Sequence, residues 1–424
     1  MLFFKKKEKD KETQEEVQQA PEVDQRQQEL DAIREAHKDL PIPTILPMFL
    51  NKLNGDDAAD LPEDTIEEAR KKELIELLYE PELGRNTVEQ LSTQEVLFVM
   101  LAMELYNKAS ELKNFSQNHR VLYNEILSRV RDAEQIYMLF DRRTGYPFLY
   151  NGCVCIYLDK DYAIDAANRF RKIMRDLEVR MLPGEASENS DASAFAYLNF
   201  LGMNMCMLDN GKYRCRFRRQ EIRVNVNFSA SSEKQPQKPP MNPELSYALC
   251  DFLQEARWQV NYEKRDEVLK QKEARMLALL QRGIYLLPFQ ETEEGKRGVL
   301  IRKDKDGKQF LAIFTDEVEL AKEQLPAGGG WKLRSIAFPQ LPLLMGNLAG
   351  AILNPNGHRI VIPAQQVAAA LNAAKEAAAK KAAEQAEQAG AAQAPEAEAE
   401  CKPAETEEKP AEAEEKPADT ETEE

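Results

Sequence analysis

The spacing of apolar residues changes along the chain and divides it into regions of different structure. Residues 1–40 are charged and rich in Gln with almost no apolar period, which predicts disorder or a solvated helix. Helical spacing follows over 41–135, where Ser92-Thr93-Gln94-Glu95 has the pattern of a capping box. The run 96–103 behind it is apolar on every side of a helical wheel, and residues 121–133 are apolar on one side. We therefore predict a helical segment over 41–135 that contains one fully buried helix.

From residue 136 the period shortens to that of strands. Short alternating or apolar runs predict three strands and two helices, followed by a closing hairpin that turns at Asn210-Gly211. Asn-Gly is the strongest two-residue hairpin signal because both positions favour a positive φ. Residues 136–228 are thus predicted to form an α+β module, and the Ser-, Lys- and Pro-rich residues 229–241 a linker.

The same succession of patterns returns after the linker. Residues 242–283 have helical spacing, and residues 284–371 again alternate between strands and short helices. The best local match sets residues 208–214 against 353–359. We predict an α+β fold of two tandem divergent modules, each a helical pair followed by a small mixed β-sheet with two packed helices. Residues 372–424 form an Ala-, Glu-, Lys- and Pro-rich tail, and both termini are predicted to be disordered.

Short motifs in the second module resemble the N-terminal domain of SseB (enhanced serine sensitivity) proteins. They are Asn242-Pro243-Glu244-Leu245, Tyr285-Leu286-Leu287-Pro288, Phe314-Thr315-Asp316 and Asn354-Pro355-Asn356-Gly357, in that order. The resemblance covers residues 242 to about 371. It implies a mixed α+β fold in a bacterial cytosolic protein, and it implies no defined activity.

Composition restricts the classes of function. Lys+Arg 57 against Asp+Glu 73 gives a net charge of −16, and the residues from Gln365 onward hold 6 Lys and 16 Asp+Glu of these. The rest of the chain lacks the basic excess of nucleic-acid-binding domains, so no nucleic acid is expected as a partner. The apolar run 96–103 is too short to cross a bilayer, which takes about 20 residues. We expect a cytoplasmic protein; the alternative is that Leu2-Phe3-Phe4 and the lysines after it contact an anionic membrane surface.

Four cysteines of the first module are the strongest candidates for chemistry. Cys153 and Cys155 lie two apart on a predicted strand and face one side of it, and the turn at Asn210-Gly211 sets Cys206 opposite Cys215. Four converging thiols could bind zinc or undergo redox reactions. The simpler interpretation is that they pack as small apolar residues, because Cys-x-Cys is not the usual zinc spacing. We expect core packing, with no metal and no other cofactor.

Arginines in the same module are candidates for binding. Arg214, Arg216 and Arg218 alternate on one predicted strand and so share a face, and Arg142 and Arg143 join them as candidates. This set would bind a small anion, an acidic partner protein or the chain's own acidic tail. The alternative is a solvated strand edge whose charges prevent aggregation.

No catalytic motif accompanies these residues. The three histidines, His37, His119 and His358, fall in none of the familiar hydrolase or metalloprotease patterns. We therefore predict a non-enzymatic protein that interacts with or regulates another protein. The alternative is a thiol-dependent or small-anion enzyme that uses the cysteines and arginines of the first module.

Overall fold

The computed structural model describes residues 27–45, 62–188, 192–223, 240–291, 297–325 and 330–391. Of the predicted segments, residues 1–26 of the charged N-terminus, most of the linker and residues 392–424 of the tail lie outside this description. The chain divides into two compact units, Met1–Ala370 and Leu371–Glu424. Both predicted modules lie within the first unit.

In the described ranges, five α-helices precede the first sheet. They are α1 (27–37), α2 (Glu68–Glu76), α3 (Arg85–Glu89), α4 (Thr93–Ala109) and α5 (Phe115–Asp132). The predicted capping box begins α4: the Ser92 hydroxyl accepts from Glu95 N at 3.2 Å, and the Glu95 carboxylate accepts from Ser92 N at 2.7 Å. Because residues 96–103 of α4 are apolar on all sides, this part of the helix is buried; Val96 and Phe98 have no exposed surface, and α4 packs on α5.

The first sheet and its helices follow. They are β1 (Gln135–Asp141), β2 (Tyr146–Pro147), β3 (Leu149–Tyr150), β4 (Cys153–Tyr157), α6 (Lys160–Arg171), β5 (Leu177–Pro183), α7 (Ala194–Phe200), β6 (Met205–Leu208), β7 (Cys215–Arg218) and α8 (Arg219–Ile222). The strand order is β2-β1-β4-β6-β7, with β5 paired to β1 and β3 to β4. The pairing of β4 with β6 is parallel, whereas the other pairings are antiparallel. The sheet is therefore mixed.

The closing hairpin does not have the predicted register. Cys206 pairs with Phe217 and Leu208 with Cys215, so the prediction that Cys206 lies opposite Cys215 is wrong. Asp209 has a positive φ of 51°, and its N–H bonds to Ile156 O of β4 at 3.0 Å. The N–H of Tyr213 donates to Gln94 Oε1 of α4 at 3.0 Å. These bonds remove both groups from the hairpin ladder, so pairing begins farther from the turn.

The second series repeats the order of elements. It contains α9 (Pro243–Ala256), α10 (Arg265–Arg282), β8 (Ile284–Glu291), β9 (Arg297–Val299), β10 (Ile301–Lys303), β11 (Gln309–Ile313), α11 (Glu317–Ala321), β12 (Lys332–Ala337), α12 (Leu341–Met345), β13 (Gly350–Leu353), β14 (Ile360–Pro363) and α13 (Ala364–Ala391). Its strands form a four-stranded sheet, β10-β11-β13-β14, and a three-stranded sheet, β12-β8-β9. The predicted α+β class is confirmed.

The two series also agree in detail. In each, one pair is parallel, β4 with β6 and β11 with β13, and the last two strands are antiparallel. The second helix of each series, α5 or α10, directly follows a residue in the left-handed conformation; these residues are Asn114 and Lys264. The final turns match as well: Asp209 and Asn354 have φ of 51° and 50°, and each carbonyl accepts the N–H three residues later at 2.9 Å. These positions are therefore structurally equivalent.

Helix α9 joins the two series. The Gln254 amide donates to Pro147 O at 2.7 Å and accepts from Leu149 N at 3.0 Å, and Cys250 packs in the apolar cluster of the first series. The guanidinium groups of Arg143 and Arg257 each donate to the other residue's carbonyl, at 2.6 and 2.8 Å. Hydrogen bonds to backbone groups of this kind fix the position of α9 on the first series.

Candidate functional site

The structure separates the four candidate thiols. Cys153 and Cys155 face α6, in a cluster with Phe170, whereas Cys206 and Cys215 lie on the opposite face of the sheet with α4 and α5. The four thiols therefore do not converge. Within the described ranges, no group of three or more His, Cys, Asp or Glu side chains is arranged to hold a metal ion.

Burial also makes these thiols unreactive. All four cysteines are buried, and this desolvation raises the pKa of Cys155 and of Cys215 to about 12 each. The pKa of Cys153 is raised by burial as well, although Arg216 favours its thiolate. A nucleophilic cysteine needs the opposite, a lowered pKa together with exposure.

Arg216 and Arg218 lie on the exposed face of β7, the strand at one end of the sheet order, and Arg214 is the residue directly before this strand. Arg214 is half-buried and donates to Asn210 Oδ1 at 2.9 Å, and burial lowers its pKa. Arg216 and Arg218 are exposed, and among the described residues neither forms an ion pair. Between them Cys215 and Phe217 point into the core.

The other two candidate arginines lie elsewhere. Arg142 and Arg143 follow β1, which β4 and β6 separate from β7. Arg142 is exposed beside the carboxylates of Asp176 and Glu178, at 3.5 and 3.9 Å. Arg143 makes the reciprocal bond with Arg257 described above. The structure therefore does not bring all five arginines into one patch.

A buried polar cluster lies where the two series meet. The Tyr146 hydroxyl donates to Glu319, with both carboxylate oxygens within 2.9 Å, and the Lys322 ammonium donates to Glu319 Oε1 at 2.5 Å and to the Tyr146 hydroxyl at 3.2 Å. The His358 ring stacks on Tyr146, and its Nε2 lies 3.3 Å from Cys250 Sγ. Burial raises the pKa of Glu319 and lowers that of His358 far below its usual range.

The hydrogen bonds of this cluster define its protonation. Asn354 Oδ1 accepts from Thr315 N at 3.0 Å, so its Nδ2 faces His358 Nδ1, also at 3.0 Å, and donates to it. The neutral imidazole therefore carries its proton on Nε2 and donates to Cys250 Sγ. Burial holds the pKa of Cys250 well above its ordinary value, so the pair is not an activated thiolate. The cluster links the two series, and its His358 and Cys250 side chains have no exposed surface.

A cleft with a volume of about 730 Å³ lies on the first series. It is lined by the N-terminal turns of α4 and α6, by residues just before and at the start of α2, and by the turn after β6. The lining residues are Thr65, Ile66, Glu67, Arg70, Ser92, Thr93, Gln94, Glu95, Leu158, Asp159, Tyr162 and Asp209. Its ionisable side chains are acidic apart from Arg70, which is bonded to Glu73 and Glu95, both at 2.7 Å.

Asp209 is the most unusual residue of this cleft. It is buried, its Oδ2 accepts from Gln94 Nε2 at 2.9 Å, and its Oδ1 has no hydrogen-bond partner in the described structure. Burial raises the pKa of Asp209 to about 7, and the hydrogen bond from Gln94 and the nearby N–H of Leu158 offset only part of this effect. From the sequence, Asp209 is expected only as part of the hairpin turn at Asn210-Gly211. The available signal was its alignment with Asn354, because a carboxylate replaces a neutral amide at equivalent positions.

Comparison with known proteins identifies one part of the chain. Residues 255–369 match the family model of the SseB protein N-terminal domain. No curated protein and no solved structure matched the chain significantly. The match begins near the end of α9 and contains three of the four quoted motifs, whereas Asn242-Pro243-Glu244-Leu245 lies before it. The resemblance is therefore confirmed: the C-terminal part of the chain, residues 255–369, is similar to the SseB protein N-terminal domain.

Proposed function

We propose that this protein is a non-enzymatic, cytoplasmic interaction protein that binds an acidic, extended segment of a partner protein along β7. The observation that carries the proposal is that Arg216 and Arg218 lie on the exposed face of that strand, with Arg214 directly before it. Arg216 and Arg218 have no ion-pair partner in the described part of the chain, although the protein as a whole is acidic, with a net charge of −16. An acidic protein that keeps exposed, unpaired arginines side by side presents a local site for carboxylates.

The position of β7 supports an extended ligand. Within the described ranges β7 pairs with β6 alone, so one side of its backbone is free of strand partners. A peptide that adds to such an edge gains main-chain hydrogen bonds, and its alternate side chains meet one face of the sheet. Alternate carboxylates would therefore meet Arg216 and Arg218.

Three further expectations belong to this proposal. The two series are tandem copies from an internal duplication, which is supported by their matching strand pairings and left-handed turn residues. A reducing compartment is supported by the five described cysteines, which are all free thiols. The thiol-enzyme alternative has little support, because its cysteines are buried and their pKa values are raised.

The test uses a polyglutamate peptide as probe and the full chain as receptor. We expect saturable binding that weakens with salt, and a loss of at least about tenfold in affinity in the double variant R216E/R218E, because charge-assisted bonds become repulsions. The matched control is K332E/R334E, which reverses the charges of two alternating exposed residues on β12, an edge strand of the second series. It should bind like the wild type.

Three results would contradict the proposal. One is no binding, and another is an equal loss in both double variants, which would indicate a non-specific effect of net charge. The third is that a single-stranded RNA oligonucleotide binds as tightly as the peptide and with the same sensitivity to R216E/R218E, because the partner would then be a nucleic acid.

A further inference from the structure

Comparison of the equivalent residues Asp209 and Asn354 distinguishes what the backbone of this turn requires from what the side chain adds. Both have the left-handed backbone conformation that Asn and Asp tolerate best. Both donate their N–H to the neighbouring parallel strand, Asp209 to Ile156 O at 3.0 Å and Asn354 to Ile313 O at 2.9 Å. An asparagine therefore meets every backbone requirement of this turn.

The two side chains differ in how many of their polar atoms have hydrogen-bond partners. Asn354 Oδ1 accepts from Thr315 N, and its Nδ2 donates to Thr315 Oγ1 and His358 Nδ1, all at 3.0 Å. Asp209 uses Oδ2 to accept from Gln94, whereas its buried Oδ1 has no partner in the described structure. A buried, unpaired carboxylate oxygen is costly, so its presence beside a cleft indicates a ligand that completes it.

The surroundings determine the charge of that ligand. The helix N-termini at the cleft are already capped, because Ser92 accepts from Glu95 N and Asp159 accepts from the N–H groups of Asp161 and Tyr162. They therefore offer little to an anion. The cleft instead presents carboxylates, and Arg70 is engaged by two of its own neighbours. The ligand should be a cation that donates hydrogen bonds.

We propose that the cleft binds a primary ammonium group, which donates to Asp209 Oδ1. A guanidinium group would need both carboxylate oxygens for its two-point contact, and Gln94 occupies Oδ2. A metal ion would need several ligands, and no suitable group of three exists in the described residues. The apolar faces of Ile66 and Tyr162 line the same cleft and suit the aliphatic stem of an amine.

The experiment measures binding of two amines to the full chain by calorimetry. The probes are 1,4-diaminobutane, a free amine, and Nα-acetyl-lysine amide, which carries the ammonium of a peptide side chain. We expect at least one probe to bind saturably, and Asp209→Asn to weaken it by about tenfold or more, because a charged hydrogen bond is lost. The tighter of the two probes identifies whether the natural source is a small amine or a lysine side chain.

The control is Glu68→Gln, which removes one negative charge from the same region at an exposed residue outside the cleft. It should leave the affinity within about twofold of the wild type, because exposed charges contribute little. Absence of binding by both probes, or equal affinities in the wild type and D209N, would overturn the proposal. D209N should fold at least as well as the wild type, since it removes a buried charge, so a loss of binding would not reflect unfolding.

Ionisation of Asp209 gives a second readout. The titratable groups that face Asp209 are Tyr157 on β4 and Asp159 and Tyr162 at α6. Helix α4 contributes the neutral Gln94. The charged residues that line the cleft around Asp209 are Glu67, Glu95 and Arg70. Burial raises the pKa of Asp209 to about 7, so the carboxylate form becomes dominant only above that pH. Affinity should therefore rise between about pH 6 and pH 8 in the wild type and not in D209N. An affinity independent of pH over this range would also overturn the proposal.

Discussion

The imidazole ring of His358 stacks on the phenol ring of Tyr146, with their centroids 4.0 Å apart and their planes inclined by 11°. This contact joins the closing turn of the second series to the second strand of the first. The Tyr146 hydroxyl also satisfies the carboxylate of Glu319, which is buried. One tyrosine thus provides both apolar contact and hydrogen bonding between the two series.

Tyr146→Phe should lower the free energy of unfolding by roughly 1 to 3 kcal/mol, because it leaves a buried carboxylate with one donor fewer. The matched control is Tyr137→Phe, whose hydroxyl bonds to Gln135 at the surface at 3.3 Å, and it should cost no more than about 0.5 kcal/mol. Urea denaturation measures both. Equal effects of the two substitutions would contradict the structural role assigned to Tyr146.

Asp209→Asn should stabilise the protein, and increasingly so at higher pH. The folded-state pKa of Asp209, about 7, lies above its ordinary value of 3.8, so the folded protein holds this proton more tightly than the unfolded chain does. Stability therefore falls as pH rises through this window, and the full penalty is present above about pH 7. The asparagine has no such penalty, and we expect D209N to gain roughly 1 to 4 kcal/mol at about pH 8 and much less near pH 4. Unfolding curves across this range measure the difference.

The reciprocal substitution provides the control. Asn354→Asp removes the amide that donates to Thr315 Oγ1 and His358 Nδ1 and places a carboxylate in a buried site. It should destabilise the protein by roughly 2 to 4 kcal/mol at about pH 8. If D209N and N354D shifted stability in the same direction, the two turns would not differ in the way the hydrogen bonds indicate.

These two turns also show what the sequence could and could not predict. The capping box of α4 and the order of elements depend on neighbouring residues, so local patterns predicted them. The register of the first hairpin depends on Gln94, which lies more than a hundred residues before Tyr213 and takes its N–H. The free oxygen of Asp209 depends on the same distant helix. Such long-range contacts have no local signature.

The arginines and cysteines illustrate the same limit. Alternation along the predicted strand places Arg214, Arg216 and Arg218 on one face, since side chains two apart point the same way in any strand. In the structure Arg216 and Arg218 lie on the exposed face of β7, and Arg214 precedes the strand. The position of Arg142 relative to them depends on strand order, which places β4 and β6 in between. Likewise, the two pairs of cysteines lie on opposite faces because β4 and β6 are parallel and in a particular register. The periodicity of the sequence predicts neither the order of the strands nor their register.

The native thiols of the first series should be inert. Alkylation by iodoacetamide at about pH 8 should modify Cys153, Cys155, Cys206 and Cys215 at least about tenfold more slowly than N-acetylcysteine, because they are buried and their pKa values are raised. Peptide mass spectrometry identifies the modified sites, and the same reaction in urea is the control for their accessibility on unfolding. Fast modification of any of the four in the native protein would revive the thiol-enzyme alternative.

Gly202 occupies a position where a side chain has no room. Its φ is +64°, and a Cβ atom there would overlap the backbone carbonyl of Pro243, the first residue of α9. Gly202→Ala should therefore destabilise the protein by more than about 1 kcal/mol. Gly298→Ala, in an open position on β9, should change stability by no more than about 0.5 kcal/mol. Thermal unfolding of the two variants tests this contrast.

The packing of helix α9 determines where the chain can be divided into fragments. The family match begins at residue 255, one residue before α9 ends, yet Cys250 and Tyr247 of that helix pack in the apolar cluster of the first series. A fragment cut at the family boundary would leave most of α9 behind, attached to its neighbour. A fragment cut before α9 would instead remove an apolar surface that the first series needs. The boundary of the family match is thus not a boundary between compact units of this chain.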